Sequence, residues 1–563
     1  MPFALKSLRV QLPLVLLGCL ALFGLWMMPI VATGMPLEIP RLLAARNFAE
    51  TGMFRETDSL GRLLAPELLK EQGETSPEPE RLSTMILATF SRFIPWNNAI
   101  GWTAMTGAVF ALSFLFLWLA VARLFSIRVA WGTIVITALM PIYWQIALSS
   151  DRYIFGLFFL FAGFAAAAWL LDRSWIAAVI VSGIFFGLAA SAKDAFLIFL
   201  PWFLVLLVSV QRSWKRGIVA AALFLACTGI VYLIPYADDI RSVGYPVNQN
   251  IARAWPGAAD IEEKTYLHLY PDPYTYFFDR ERFDRELLAR RETLSFLERT
   301  QLQKVLIRYG VGGPSLIDSV LNGVWLFGNS VTSLFQQDVM GGIVLWLFIL
   351  PGIYVLRRRR VLLLFLLGTI ASVHVLTSFV LHYSREHLMD YGWALGLLVA
   401  VGIAFVADSL SASQKKFSAA TITSLIILIL AVQMIQANRT RFARFYARSL
   451  VADTVAAAEV MEKLPAEAVV AAPLHPRIAE DLALLSGQSV VLFQEPTVER
   501  LLSEGKLDDA FRTYGVTHVL RYDDERARRM RAAANITVLV DPHPGPKPPE
   551  HSAILRYLLH TIR

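Results

Sequence analysis

Charge is scarce in this sequence: of 563 residues only 17% are Asp, Glu, Lys or Arg, against about 25% in ordinary soluble domains. Cysteine is scarcer still. Its two residues, Cys19 and Cys227, both fall inside apolar runs, so no disulfide framework is implied and the redox compartment is not readable from them. The C-terminal part lacks both G-x-G-x-x-G and G-x-x-x-x-G-K-[ST], the glycine patterns that let backbone amides cradle phosphates, so nucleotide binding has no support there. What takes the place of charge is apolar surface, 56% of all residues, where a soluble chain has about 45–50%. A soluble globular enzyme is excluded, and lipid is the expected solvent for most of the chain.

The apolar residues are gathered in blocks, and about 17–25 helical residues are needed to cross a hydrocarbon core of about 30 Å. Eleven blocks approach that length: 12–33, 99–122, 129–149, 153–171, 175–191, 195–210, 217–234, 339–356, 361–381, 391–407 and 417–435. Unpaired backbone groups are intolerable in lipid, so each block is expected to be helical, with 195–210 short enough to be tilted or partly re-entrant. The first block is longer than the 7–15 apolar residues typical of a cleaved signal peptide and reads as a retained signal anchor.

Orientation follows from Lys and Arg in the short loops. With the N-terminus in the cytoplasm, fourteen such residues face inward: Lys6, Arg9, Arg123, Arg128, Arg173, Arg212, Lys215, Arg216, Arg357 to Arg360, Lys415 and Lys416. Only three, Arg152, Lys193 and Arg385, fall in short outside loops. Arg439, Arg441, Arg444 and Arg448 oppose this scheme, but they head a long terminal segment, and such segments translocate largely regardless of charge. The net charge of +7 therefore reports orientation rather than a nucleic-acid partner. The expected organisation is a transmembrane domain over 1–435 with external loops 34–98 and 235–338, and an extracytoplasmic domain over 436–563. For a bacterial chain the membrane is the inner one, with the C-terminus in the periplasm.

The terminal domain alternates helical pattern with short apolar runs. Helices are expected at 451–464, 476–486, 497–514 and 523–534, and strands at 468–472, 489–493, 517–522, 536–540 and, after a Pro-rich linker at 541–550, at 554–559. That order suggests a small α/β domain with a parallel sheet, acting as a lid or docking module rather than a second catalytic centre. In the loop 235–338, Tyr266, Tyr270, Tyr274 and Tyr276 precede a stretch at 279–309 in which both charge signs alternate with Phe283, Leu287, Leu294, Phe296 and Leu297. An interfacial amphipathic helix with an aromatic belt accounts for this pattern, as does a wall for an acceptor.

Charge near hydrocarbon is expensive and tends to mark function. Glu38, Asp151, Arg152, Lys193, Asp194 and Arg385 all stand at external ends of spans in this topology. Carboxylates and cations gathered at one membrane surface suit a lipid phosphate beside an acid or base. Arg152 and Asp194 also read as loop charges or ion-pair partners, and Lys193 reads either as a snorkelling side chain or as a phosphate ligand. His374, within the ninth block, reads as a packing residue, whereas His382 and His387 flank Arg385 without metal-ligand spacing.

Several of these segments resemble the GT-C glycosyltransferases, the polytopic enzymes related to protein O-mannosyltransferases and to bacterial aminoarabinose transferases. The stretch Pro36-Leu37-Glu38-Ile39-Pro40-Arg41-Leu42-Leu43-Ala44-Ala45-Arg46-Asn47 resembles that family's first external loop, where an acidic pair precedes an Ala-Arg-Asn-like run. Ser149-Ser150-Asp151-Arg152-Tyr153 is similar to its second acidic site, Gly187-Leu188-Ala189 followed by Lys193 to a recurring Gly-Leu-Ala…Lys stretch, and His382-Tyr383-Ser384-Arg385 to a late loop with a phosphate-facing Arg. The sequence departs from the pattern at the acidic pair. Aligned on Ala45-Arg46-Asn47, Glu38 takes the second acidic position and Leu37 the first; aligned on acid-x-x-Arg, Glu38 with Arg41 takes the first.

The resemblance implies an α-helical polytopic GT-C-like membrane fold and inverting transfer of a sugar from a polyprenyl-phosphate donor to a hydroxyl of a lipid, glycan or protein acceptor. It makes Glu38 the base or an acceptor-positioning group and Asp151 its assistant or a metal ligand. It gives Lys193, Arg385, Arg46 and Tyr383 to the donor phosphate. It requires no nucleotide, and it admits a divalent metal for which the sequence shows no ligand motif. Two other readings stay open. A transporter or flippase is expected to show matched halves with interrupted helices, and an inactive scaffold of the same fold is compatible with Leu37.

Overall fold

The structure is a computed structural model, and it describes residues 5–33, 42–52, 54, 80–149, 152–211, 213–243, 323–324, 327–328, 330–379, 385–414, 417–447, 451–472, 476–492, 501, 503–522, 536–539 and 557–562. The chain divides into two compact units: Met1–Pro36, Ile100–Ala237 and Ser315–Ala447 form the first, and Leu37–Ala99, Asp238–Pro314 and Arg448–Arg563 the second.

The first unit is helical, and its helices follow the apolar blocks. Among the described residues, seven are long and apolar enough to cross a membrane: Val10–Ala32, Ala99–Leu124, Tyr153–Leu170, Trp175–Ala192, Trp214–Tyr236, Met389–Ser413 and Ala419–Arg439. Of the other four blocks, three are helical without being long straight spans. The block 129–149 is two helices, Ile127–Leu139 and Pro141–Ser149, meeting at a bend of 65°. Pro141 supplies the reason: its ring forces the preceding residue out of the helical region, and Met140 stands at φ −54°, ψ 132°. In the block 339–356, Gly341 and Gly342 adopt φ of 93° and 90°, so the continuous helical stretch begins only at Ile343. The block 195–210 opens with a 3₁₀ turn, Asp194–Phe199, before the helix Leu200–Val210. The helix Arg360–Phe379 carries the ninth block.

Tight turns join these helices at one end of the bundle. Ser126, Ser174 and Ser213 each accept a hydrogen bond from the backbone N–H three residues on, at 3.2–3.3 Å, and each such cap is worth about 1 kcal/mol. Arg128 makes a bidentate pair with Asp408, both bonds at 2.8 Å, and Arg123 pairs with Asp172. The bundle interior is aromatic: Trp26 stacks on Phe110, and Phe164 stacks on Phe203 and meets Phe365 and Trp393. Outward, Leu17, Leu20, Leu347, Leu350, Leu425, Leu428 and Ile429 are exposed, the apolar surface that lipid covers.

The second unit is built on a five-stranded sheet with strands β1 Val469–Ala472, β2 Ser489–Leu492, β3 His518–Tyr522, β4 Ile536–Leu539 and β5 Tyr557–Ile562 in the order β2-β1-β3-β5-β4. Successive side chains of β1 point to opposite faces, and both faces are covered. Val470, Val490 and Leu520 pack with Ala457, Met461, Leu482 and Leu43 on one side, while Val469, Ala471, Val491 and Val519 pack with Leu507, Phe511 and Tyr514 on the other. Double burial explains the unbroken apolar run of β1. The sheet is mixed rather than parallel: β2, β1 and β3 are parallel, whereas β5 runs antiparallel to both β3 and β4, with Leu520 opposite Leu559 and Val538 opposite His560. The last strand lies at 557–562 instead of 554–559, and the segments 279–309 and 523–534 lie outside the described residues.

Leu43 brings the helix Leu43–Thr51, from the first long loop, into this core. Arg46 of the same helix donates from Nη1 to the Leu484 carbonyl at 3.1 Å and pairs through Nε with Glu50 at 3.1 Å. Leu484 lies in the last turn of the helix Pro476–Ser486, where carbonyls lack intrahelical partners, and Gly487 ends that helix at φ 73°. With no side chain on Gly487, the guanidinium lies 3.2 Å from where a Cβ would stand. Arg46→Ala is expected to lower the stability of this unit by about 1–2 kcal/mol, the loss of one charge-assisted bond. Glu50→Gln, which removes a partly exposed ion pair, is expected to cost less than about 0.5 kcal/mol. Hydrogen exchange of the β1 and β2 amides in the full-length protein measures both.

Candidate functional site

Within the first unit, one group of polar residues gathers where several helices end. Lys193 terminates the helix Trp175–Ala192 and leaves it in an extended conformation, φ −153°. Asp194 opens the 3₁₀ turn, Arg152 immediately precedes the helix Tyr153–Leu170, and the turn Arg385–Leu388 leads into the helix Met389–Gln414. Gly156, one turn into Tyr153–Leu170, lets these segments meet: a Cβ there would run into the Phe196 ring and come within 3.2 Å of Lys193 Cβ.

The contacts inside this group form a line. The half-buried Lys193 holds its ammonium 4.2 Å from the centroid of the Tyr153 ring, inside the range where the ring's negative face attracts a cation by about 0.5–2 kcal/mol. Tyr153 is buried, and its hydroxyl lies 3.2 Å from His387 Nδ1. That nitrogen is 3.6 Å from Asp390 Oδ2, a carboxylate with no solvent exposure. With the proton on Nε2, Nδ1 accepts from the Tyr153 hydroxyl; with the proton on Nδ1, it donates to that hydroxyl oxygen beside the carboxylate. Beside the line, Tyr232 donates to Asp194 Oδ1 at 3.2 Å. The entry of Met389–Gln414 is fixed by Tyr143, which donates to the Met389 carbonyl at 2.6 Å and accepts from the Trp393 N–H at 2.9 Å.

Of the residues expected from sequence, Lys193 belongs to this group, and Arg385 begins its 3₁₀ turn, its side chain being outside the described residues. Glu38, Asp151 and Tyr383 lie outside the described residues. Arg46 lies in the second unit, engaged with Leu484 and Glu50. Asp194 proves to be a hydrogen-bond partner. His374 is a packing residue with both ring nitrogens occupied, Nε2 by Tyr391 at 2.7 Å and Nδ1 by Ser330. Asp390 is not among the residues expected from sequence, although an acid one residue before an apolar block is an available signal. Among the described residues, no three of His, Cys, Asp and Glu stand together as a metal ion requires.

Apolar helices long enough to span, an aromatic interior and a polar cluster where helices meet define a multi-pass membrane protein, and its fold is that of the GT-C glycosyltransferases. The chain is similar to the oligosaccharyltransferase of Archaeoglobus fulgidus in complex with zinc and sulfate, at 13% identity and a TM-score of 0.54, covering 88% of this chain and 64% of that one. It is similar to the same organism's oligosaccharyltransferase AglB in complex with an inhibitory peptide and a dolichol-phosphate, at 13% identity and a TM-score of 0.52, covering 92% of this chain and 70% of that one. It is also similar to ArnT from Cupriavidus metallidurans bound to undecaprenyl phosphate, at 11% identity and a TM-score of 0.50 over 99% of this chain and 98% of that one. At such identity the likeness is one of fold. No family model and no curated relative matches the sequence.

Proposed function

We propose that this protein transfers a sugar from a polyprenyl-phosphate donor to an acceptor hydroxyl at the periplasmic face of the bacterial inner membrane, with inversion at the anomeric carbon. The observation that carries the reading is Lys193, a half-buried cation held on the Tyr153 ring at helix ends that also carry Arg152 and Arg385. It is supported by the fold shared with proteins bound to dolichol-phosphate and undecaprenyl phosphate. The excess of Lys and Arg in the opposite set of loops supports the periplasmic face and a cytoplasmic N-terminus. A 1–435 membrane domain and a 436–563 periplasmic domain complete this organisation.

The chemistry follows from charge. A base, Glu38, takes the acceptor proton as the acceptor oxygen forms its bond to the anomeric carbon. The bond from that carbon to the phosphate oxygen breaks, and the lipid phosphate leaves with the electron pair and one more negative charge than it had as a diester. Cations beside it therefore bind the departing group more tightly than the bound donor, which is the condition for accelerating the step. Lys193, Arg385 and Tyr383 serve the phosphate, and Asp151 assists Glu38. Arg46, which donates to the Leu484 carbonyl, is assigned to the same phosphate by the sequence resemblance. The acceptor is a lipid, glycan or protein hydroxyl. The oligosaccharyltransferase of Archaeoglobus fulgidus, solved with a tethered acceptor peptide, is a fold-level precedent for a polypeptide acceptor.

Membrane vesicles carrying the full-length protein, given a radiolabelled undecaprenyl-phosphate sugar and lipid extract as acceptor, test the reading. Lys193→Ala is expected to lower kcat/KM by about 100-fold, the loss of about 2.7 kcal/mol of phosphate stabilisation. Transfer by Lys193→Ala at the wild-type rate overturns the assignment.

A further inference from the structure

Lys193 carries four rotatable bonds, and ordering such a side chain costs rotamer entropy. A phosphate ligand that must be ordered anew in every complex loses affinity accordingly. The line from Asp390 to Lys193 addresses this cost. We infer that His387 and Asp390 are positioning residues for the donor site, clamping the Tyr153 hydroxyl so that its ring presents the Lys193 ammonium to a lipid phosphate. This rests on the donor reading proposed above.

The geometry builds the clamp from both sides. Tyr153 is 1% exposed and lies edge-on to Phe196 at 6.4 Å, so its ring has little room, and the hydroxyl contact at 3.2 Å to His387 Nδ1 fixes the remaining rotation. His387 stands on the 3₁₀ turn Arg385–Leu388, and Asp390, three residues on and fully buried, holds its carboxylate 3.6 Å from the same nitrogen. With the proton on Nδ1, the imidazole donates to the Tyr153 hydroxyl oxygen and turns the same N–H edge toward the buried carboxylate. An ammonium on a ring face keeps N–H donors directed away from the ring, so the cation–π contact and a bond to an anion are compatible. The clamp reaches the phosphate only through Lys193.

Undecaprenyl phosphate binding to the purified full-length protein in nanodiscs, followed by intrinsic fluorescence, tests this apart from turnover. His387→Gln and Tyr153→Phe are expected to weaken binding about fivefold each, and His387→Gln in a Lys193→Gln background is expected to add less than about 1.5-fold, because residues acting through one partner are not additive. Elution as a monodisperse species reports whether each variant folds, and either single variant suffices if the other does not. Restoration of wild-type affinity by His387→Asn, whose Nδ2 keeps a polar atom near the Tyr153 hydroxyl, also supports the clamp. Wild-type affinity in both single variants, or a fivefold loss that persists in the Lys193→Gln background, overturns the clamp alone. Failure of the wild type to bind undecaprenyl phosphate overturns the donor reading and the clamp with it.

Discussion

Glu38→Gln is expected to reduce sugar transfer by about 10²–10⁴-fold, the contribution of a positioned general base, while leaving undecaprenyl phosphate affinity within about twofold. The amide has the carboxylate's shape and cannot take a proton at neutral pH, so the loss falls on kcat. Glu38→Asp, a base drawn back by one methylene, is expected to keep a measurable fraction of the rate. The measurement is initial rate against donor concentration in membrane vesicles at several pH values. Full transfer by Glu38→Gln moves the base elsewhere and favours an alignment in which Glu38 only positions the acceptor. Loss of transfer with intact donor binding separates an impaired enzyme from an impaired donor site, because Lys193→Ala is expected to lower both.

Much of the helical unit is legible in the sequence because lipid imposes one rule, an unbroken apolar helix, and its imprint is a run of residues that needs no partner to be seen. The departures from that rule are also written locally. Pro141 marks the 65° bend, and the Gly341-Gly342 pair marks the break before Ile343. Strand positions in the second unit are legible for a related reason: Val469 to Ala472 reads as a continuous apolar run because both faces of β1 are covered. Strand direction is not carried that way. Whether β5 runs with or against β3 depends on the path of the chain between them, and no residue within Tyr557–Ile562 records it.

The candidate site divides along the same line. Lys193 and Arg385 stand out because a charge beside an apolar run is conspicuous. The partners that give Lys193 its setting do not. Tyr153 reads as the first residue of a span, and its hydroxyl finds a nitrogen 234 positions away. Asp390, adjoining the apolar block 391–407, reads as its boundary. Long-range pairing is where the physics of a buried polar group is decided, and the spacing of residues along a single sequence does not encode it.

The fold-level prediction of largest effect concerns Gly352 and Gly402. These residues face each other where the helices Trp346–Leu356 and Met389–Gln414 cross: a Cβ on Gly402 would run into the Phe348 carbonyl oxygen, and one on Gly352 into that of Leu398. In lipid no hydrophobic drive pulls helices together, and small residues that allow close backbone approach take over that task. A backbone carbonyl cannot rotate away as a side chain does, so any side chain here must push the two helices apart. Gly402→Leu is expected to leave no monodisperse protein in detergent, and Gly402→Ala to cost about 3 kcal/mol, the upper range for overpacking. Gly229→Ala, in the helix Trp214–Leu233 with nothing within 4 Å of the new methyl, is expected to be neutral or stabilising by up to about 1 kcal/mol through helix propensity. Thermal unfolding followed by size-exclusion chromatography ranks the three. The helix that Gly402 seats also carries Asp390 at its first turn. Where Gly402→Ala remains folded, it is therefore expected to weaken undecaprenyl phosphate binding as well, whereas equal binding with lowered stability would show that the crossing and the donor site are set independently.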